Sequence, residues 1–359
     1  MPVADGGDGT LDVLLAAAGP SARVETVTVT GPLGRRRRAR LGWPAPSVAV
    51  VELAEAAGLR LLRGGRRDPL GATSRGAGEL VLAALDGGAR RIVVGVGGSA
   101  SSDGGAGIME ALGARLLDSR GRHVPPGGGS LLSVAAVDLD GLDPRLGRVR
   151  VDVAVDVRSP LAGPRGAACV FAPQKGAGPS DVEVLEAGLV HFAELVERAF
   201  GSPGLAAAPG SGAAGGAAFA LAALGARLVG GAALVCDEVG LSTALSGADL
   251  VLTGEGRLDS QTAEGKAPAE VASRAREAGV PCVAVCGSVR GGEDMFAGTQ
   301  ALDRLGTAPM RHPRSLLRLA AARAVRQLEE SSAQASSPRR SRHPSRGVAR
   351  RGDADPPFV

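Results

Sequence analysis

Arg91-Ile92-Val93-Val94-Gly95-Val96-Gly97-Gly98-Ser99-Ala100-Ser101-Ser102-Asp103-Gly104-Gly105 sets a β-branched apolar run directly against a loop of glycine and serine. So short an apolar run reads as a strand buried on both faces, the kind that parallel sheets use. The glycines let backbone N–H groups converge on an anion, and a helix starting at about Gly105 would turn its positive end toward it. Outward from here the rhythm repeats. Short apolar runs at Val151 to Val157, Ala168 to Ala172, Ala248 to Thr253 and Val280 to Val285 each end in Gly, Ser, Asp or Gln residues, with helical patterns between most of them. Upstream, Val24 to Thr30 alternates, Gly31-Pro32-Leu33-Gly34 turns, and Val48 to Leu53 returns, an antiparallel hairpin or meander. Strands alternating with helices predict largely parallel sheets, whose ligand crevices lie beyond the carboxyl ends of the strands.

At 359 residues the chain exceeds the size at which one core stops growing, so two lobes sharing a cleft are expected. The strongest helical pattern is Asp181 to Phe200, with Ser180 as its cap and Glu183 closing a capping box. Further helices are predicted over Ala269 to Ala278 and Ser315 to Leu328. Leu205 to Ala226 carries no charge and could span a bilayer by length, but its glycines, Pro209 and alanines read instead as a loop entering a buried helix. From Ser331 onward Ser, Pro and Arg dominate, and residues 331–359 are expected to be disordered.

With 55 Gly, 2% aromatic residues and no Tyr, the core must be built from Ala, Val and Leu. The tail from Ser331 supplies the whole formal net charge of +4, which argues against a nucleic-acid partner, and the Arg35 to Arg38 run reads as a solvated hairpin tip. Cys169, Cys236, Cys282 and Cys286 lie in apolar, strand-like runs without C-x-x-C spacing, as reduced core residues would. The start Met1-Pro2-Val3-Ala4-Asp5 has no secretory pattern, and with no membrane segment the expected address is cytoplasmic.

The sharpest chemical signal is lysine usage. Against 39 Arg the chain keeps two Lys, Lys175 in Ala172-Pro173-Gln174-Lys175-Gly176 and Lys266 in Glu264-Gly265-Lys266-Ala267-Pro268. A background that has exchanged lysine for arginine would keep the compact ammonium where a point charge is needed, as on a transferring phosphate. The blander reading is two surviving surface lysines. A second cluster, Gly97, Gly98, Ser99 and Asp103, is the candidate anion cradle. A third, Thr253-Gly254-Glu255-Gly256-Arg257-Leu258-Asp259-Ser260-Gln261-Thr262, offers two carboxylates, an amide and a hydroxyl, a donor set suited to magnesium or a sugar acid. Asp5 and Asp8 sit in Ala4-Asp5-Gly6-Gly7-Asp8-Gly9-Thr10, where Asp8 reads as an Asx-turn residue. Asp156 ends an apolar strand, which would expose its carboxylate at the crevice. No histidine constellation, Walker A loop or nucleophile elbow is present. Gly95, Gly97 and Ala100 fit a dinucleotide pattern with Asp118 downstream, but Asp118 follows an expected helix, Ile108 to Leu117, instead of ending a second strand.

These blocks, together with Pro125-Pro126-Gly127-Gly128-Gly129, Asp156-Val157 and Gly212-Ala213-Ala214-Gly215-Gly216, stand in an order that resembles the glycerate kinase type 1 family from Pro2 to about Gly287. The resemblance implies transfer of the γ-phosphoryl of ATP to D-glycerate, with ATP and Mg²⁺ as cofactors, small-molecule substrates as partners, and no nucleic acid or membrane. The fold class it implies is α/β and two-lobed: a Rossmann- or flavodoxin-like, largely parallel sheet plus a second mixed-sheet α/β domain, with the site in the cleft between them. Residues 1–330 would form two interleaved lobes, one holding the hairpin of about 22–65, the other about 90–118 and 245–328.

The expected catalytic residues are Asp156, Lys175, Asp259 and Lys266. Asp5, Gly6, Gly97, Gly98, Ser99, Asp103, Gln174, Gly254, Gly256, Gln261 and Thr262 would bind substrate or phosphate, and Glu255 the metal. Family members usually begin some forty residues earlier, with a strand and a lysine-containing loop, so the chain is expected to lack that first strand. Two other classes compete: a nicotinamide-dependent oxidoreductase of a small hydroxy acid, and a truncated protein that binds glycerate or nucleotide without turnover. The sequence leaves open whether the chain forms a homo-oligomer.

Overall fold

The computed structural model describes residues 1–62, 66–260, 262, 265–305 and 313–336. In chain order its first half runs α1 (Thr10–Ala18), β1 (Arg23–Thr30), β2 (Arg36–Ala45), β3 (Val48–Glu52), α2 (Leu53–Ala57), α3 (Arg75–Asp86), β4 (Arg91–Gly95), α4 (Ala106–Ala111), β5 (Arg115–Leu117), β6 (Ala136–Asp138) and β7 (Arg150–Val155). The second half runs α5 (Ala167–Phe171), α6 (Pro179–Phe200), α7 (Ala213–Ala223), β8 (Arg227–Gly230), α8 (Gly231–Glu238), α9 (Leu241–Leu245), β9 (Val251–Thr253), β10 (Arg257–Leu258), α10 (Ala267–Glu277), β11 (Cys282–Cys286), β12 (Ser288–Val289), β13 (Gly298–Ala301) and α11 (Pro313–Ser336).

The main sheet has six strands in the order β1-β2-β3-β4-β7-β8. The hairpin strands β1, β2 and β3 pair antiparallel, and from β3 to β8 every pairing is parallel. A second, three-stranded parallel sheet has the order β13-β11-β9. The mixed α/β, parallel-rich class holds, but the strand grouping differs from expectation. The strand at residue 91 pairs with β3 of the hairpin, not with the strands of 245–328, because its register from Val48↔Arg91 to Glu52↔Gly95 lets both its faces be covered. Ile92 and Val94 pack toward α3, α4 and α7, while Val93 meets Leu11 and Leu14 of α1 and Leu234 and Val235 of α8. Each such side chain contributes roughly 1.5–3 kcal/mol by leaving water.

Local expectations were corrected in four places. The run at residues 168–172 falls in helix α5 and its C-cap Ala172, not in a strand, since a five-residue apolar run has no length to distinguish the two and Ala favours the helix. Cys169 therefore lies on a helix, as does Cys236 on α8, and all four cysteines are free thiols. The helix after the glycine loop stops at Ala111, and Arg115–Leu117 turns back as a strand on β6. α6 starts earlier than expected, with Pro179 in its first turn and Asp181 reaching back to accept from the Gly178 N–H at 2.9 Å, so Ser180 and Glu183 are not its cap. α11 runs through Ser336 into the segment expected to be disordered, and the remainder of that segment lies outside the described residues. α7 is buried almost all round, as the uncharged run implied. No helix among the described residues is long and apolar enough to cross a membrane.

Candidate active site

Because β3, β4, β7 and β8 are parallel, Glu52, Gly95, Val155 and Gly230 all end on one edge of the main sheet. The loop before α1 threads through that edge. Gly6 lies against β7, where a Cβ would come within 2.8 Å of the Ala154 carbonyl oxygen, and the Gly97 N–H donates to the Gly6 carbonyl at 3.2 Å. A Cβ on Gly97 would stand 2.4 Å from the Gly7 Cα, a backbone-to-backbone collision with nothing flexible to yield. Gly97→Ala is accordingly expected to lower unfolding stability by about 1–3 kcal/mol, readable as a shift of the denaturation midpoint at unchanged m-value. Asp5 holds the turn by accepting from the Gly7 N–H at 3.3 Å, the role expected of Asp8. Asp8 instead points to Arg60, at 3.8 Å.

Lys175 is 2% exposed, at the end of a short 3₁₀ turn of Pro173–Lys175 that follows α5. Its ammonium donates to Ser99 Oγ at 2.9 Å and to the Ser101 carbonyl, so the glycine-serine loop and the lysine form one unit. Burial pulls this amine down to about 7, and the charge of Asp103 opposes that fall. Asp103 is wholly buried and is spent on structure: its carboxylate accepts from the Ser74 N–H at 2.8 Å and hydroxyl at 2.9 Å and from the N–H groups of Gly105 and Gly107. It anchors the start of α4 and supports the lysine from behind, where the sequence suggested a phosphate contact. A cavity of about 270 Å³ opens above, lined among others by Gly97, Gly98, Ser99, Asp156, Gln174 and Lys175.

Ala213, Ala214 and Gly215 close the far wall of that cavity. Here Ala214, Gly215 and Gly216 take φ values of 55°, 67° and 93°, a left-handed turn set inside a helix. A Cβ on Gly215 would lie 2.1 Å from the Ser101 carbonyl oxygen, so the turn presses directly on the loop that holds Lys175. The block was visible in the sequence, but only the backbone geometry shows the strain.

Asp156 follows β7 and also lines a neighbouring cavity of about 310 Å³ with Val155, Arg158, Gly230 and Gly265. Its carboxyl is raised above the ordinary aspartate value, first by desolvation and then by the negative charge of Asp5, while Lys266 acts in the opposite sense. Asp156 and Lys175 line one cavity, and the charges of Asp5 and Lys266 act on Asp156.

The loop after β9 is held from within. Thr262 is fully buried, and its hydroxyl donates to Glu255 Oε1 at 2.5 Å and accepts from the Asp259 N–H at 3.2 Å, so it shapes the loop and does not face a cavity. Gly254 packs against the Val285 carbonyl of β11, 1.9 Å from where a Cβ would sit, whereas Gly256 is open. Gln261 lies outside the described residues. No group of three or more His, Cys, Asp or Glu side chains among the described residues forms a ready-made metal cage. The partly exposed Glu255 carboxylate fits magnesium all the same, because this ion takes one or two carboxylates and fills its other positions with water and phosphate oxygens. The dinucleotide reading loses its acid: Asp118 accepts from the N–H groups of Arg120 and Arg122 and pairs with the Arg122 guanidinium at 2.8 Å.

The model of the glycerate kinase family matches residues 1–336. A glycerate kinase of Bacillus subtilis (strain 168) is 47% identical over 291 residues, covering 80% of this chain and 75% of that protein. A glycerate 2-kinase of Escherichia coli (strain K12) is 44% identical, covering 80% and 76%. A solved structure titled as a glycerate kinase 2 from Salmonella typhimurium LT2 superposes with a TM-score of 0.77 at 41% identity, over 91% of this chain and 89% of that one.

Proposed function

The chain belongs to the glycerate kinase family and is an ATP-dependent kinase acting on glycerate, and we propose that it moves the γ-phosphoryl of ATP onto the 2-hydroxyl of D-glycerate with Asp156 as general base and Lys175 as the cation on the moving group. The observation that carries this reading is that Asp156 and Lys175 line the same cavity. Phosphoryl transfer asks the protein for positioning and charge neutralisation more than for covalent chemistry. As the oxygen–phosphorus bond to glycerate forms, the bond from the γ-phosphorus to the bridging oxygen breaks, ADP leaves, and the hydroxyl proton passes to the Asp156 carboxylate. A carboxyl raised by burial and by Asp5 is a stronger base than an exposed aspartate. The Gly97–Ser99 backbone and the Lys175 ammonium cradle the phosphoryl oxygens, and Lys266, whose charge acts on Asp156, offsets the charge of substrate carboxylate or phosphate. Glu255 would hold a magnesium ion, which would supply charge neutralisation for the phosphates.

ADP should appear only when glycerate accompanies ATP and magnesium. The ³¹P signal of the product should split into a doublet from the single proton on C2; a triplet from a CH₂ group would refute the 2-position assignment, which leans on the name of the Escherichia coli relative.

The lysine gives a pH signature. With Lys175 pulled down to about 7, the free enzyme loses the cation as pH rises past that point, so kcat/KM for ATP should fall on the alkaline side of neutrality. Bound phosphate restores the charge, so kcat at saturation should hold to higher pH. A kcat/KM that stays level to pH ~9 would remove Lys175 from phosphate binding.

A further inference from the structure

We infer that Glu52 is a positioning residue for phosphoryl transfer: its buried carboxylate caps helix α1 from a neighbouring strand and so fixes the Asp5 carboxylate beside Asp156. The inference rests on the reading of Asp156 as the base. Glu52 is the last residue of β3 and is 1% exposed. Its Oε2 accepts from the N–H groups of Gly9 and Leu11, both at 3.1 Å. The Leu11 N–H is a donor that a helix normally satisfies with a Ser, Thr, Asp or Asn side chain at its N-cap, and the Gly9 N–H is the one that an acidic or amide side chain at the third helical position takes in a capping box. α1 has no such residue, because its N-cap is Gly9 with φ 95°, a conformation that side-chain-bearing residues rarely adopt.

The consequence reaches the site through five residues. The loop from Asp5 to Gly9 is pinned at one end by Gly6 against Ala154 of β7 and at the other by Glu52. Between the pins, Thr10 ties back to the Gly7 carbonyl through its hydroxyl at 2.8 Å and its N–H at 3.2 Å. Asp5 therefore has little freedom to leave Asp156 while Glu52 holds. Desolvation works against the Glu52 carboxylate and raises it; the Gly9 and Leu11 N–H groups and Arg60, at 3.6 Å, counter this, and Asp8 adds to it. A carboxylate kept inside a sheet edge at such a cost is an uncommon way to cap a helix. The loop it holds carries Asp5, whose charge adds to desolvation in raising the Asp156 carboxyl.

The full chain carries the test, as E52Q, E52A, D5N and D156N. Each is assayed for kcat, for KM of ATP and of glycerate, for the pH profile of kcat/KM and for thermal unfolding. In E52Q the amide oxygen can still accept both N–H bonds while its nitrogen faces Arg60, so the protein should stay folded with kcat lowered by less than about tenfold. E52A should lose roughly 30-fold or more in kcat with the KM for ATP nearly unchanged. Its acid limb should move to lower pH in the same direction as that of D5N, since withdrawing Asp5 removes the charge that holds the Asp156 carboxyl up while Lys266, Arg158 and Lys175 remain in place. The E52A/D5N double variant should show no shift of that limb beyond D5N alone.

A lowered melting temperature with wild-type kcat and acid limb in E52A would make Glu52 a stability cap only and overturn the inference. Should E52A not fold, E52D takes its place, since its shorter carboxylate cannot reach both the Gly9 and Leu11 N–H groups, and a wild-type kcat and acid limb there overturn the inference equally. A silent D156N sinks the underlying assignment of the base, whereas a crippled D156N beside silent Glu52 variants sinks this inference alone.

Discussion

Replacing Lys175 with Met should lower kcat/KM by about three orders of magnitude, or ~4 kcal/mol of transition-state stabilisation, without unfolding the chain. The side chain is nearly isosteric along its stem and the position is fully enclosed, so the packing survives while the charge does not. Stability should respond with a sign that distinguishes a functional cation from a structural one. The folded-state value, about 7, lies below the ordinary lysine value of 10.5, so between those limits the unfolded chain binds a proton that the folded chain does not. Wild-type stability must therefore rise with pH through that window. Below neutrality the wild type bears the whole cost of burying the charge, and K175M escapes it. The stability of K175M relative to wild type should then be greatest at pH below about 7 and decline steadily toward pH ~10.5, as chemical denaturation at a series of pH values would show. The lost bonds to Ser99 Oγ and the Ser101 carbonyl shift that curve downward without changing its slope. A K175M enzyme with near-normal kcat/KM would mean that the ammonium serves only to tie the glycine-serine loop.

That contrast between a group's chemistry and its burial separates what the sequence disclosed from what it concealed. The strand entering the glycine-rich loop, the aspartate that follows β7 and the enclosed Lys175 beside it in one cavity each left a local signature: an apolar run, a charge just past its end, a residue type kept against the background. Asp103 and Thr262 sat in equally suggestive loops, yet both are interior anchors whose bonds go to Ser74 and to Glu255. Glycine-rich context alone does not reveal which way a side chain faces. Glu52 gave no signal, since its partners lie 43 and 41 positions away along the chain and its neighbours read simply as the end of a strand. Sheet membership failed for the same reason. Periodicity reports which face of a strand is buried, but the pairing of β4 with β3 and β7 depends on helices packing on both faces.

Asp156 carries the second large effect. D156N should lower kcat by about 10²–10⁴-fold, the range for loss of a general base, and should abolish the acid limb of the rate profile, because the amide has no proton to lose. In the wild type that limb should lie above the range of an exposed aspartate, since desolvation first and Asp5 second both favour the neutral carboxyl, with Lys266 partly offsetting them. The folded state therefore holds a proton over a span of pH in which the unfolded chain has released it. Stability from this group is fully present below the ordinary aspartate value of 3.8 and is lost as pH rises through the raised folded value. At neutral pH the carboxylate stands charged, partly desolvated and close to a like charge, so D156N should unfold at a temperature equal to or higher than wild type. A gain in stability paired with a collapse in kcat is the signature of a strained catalytic carboxylate; a variant that loses both would place Asp156 among the structural acids, beside Asp152, which is buried between the guanidinium groups of Arg91, Arg150 and Arg227.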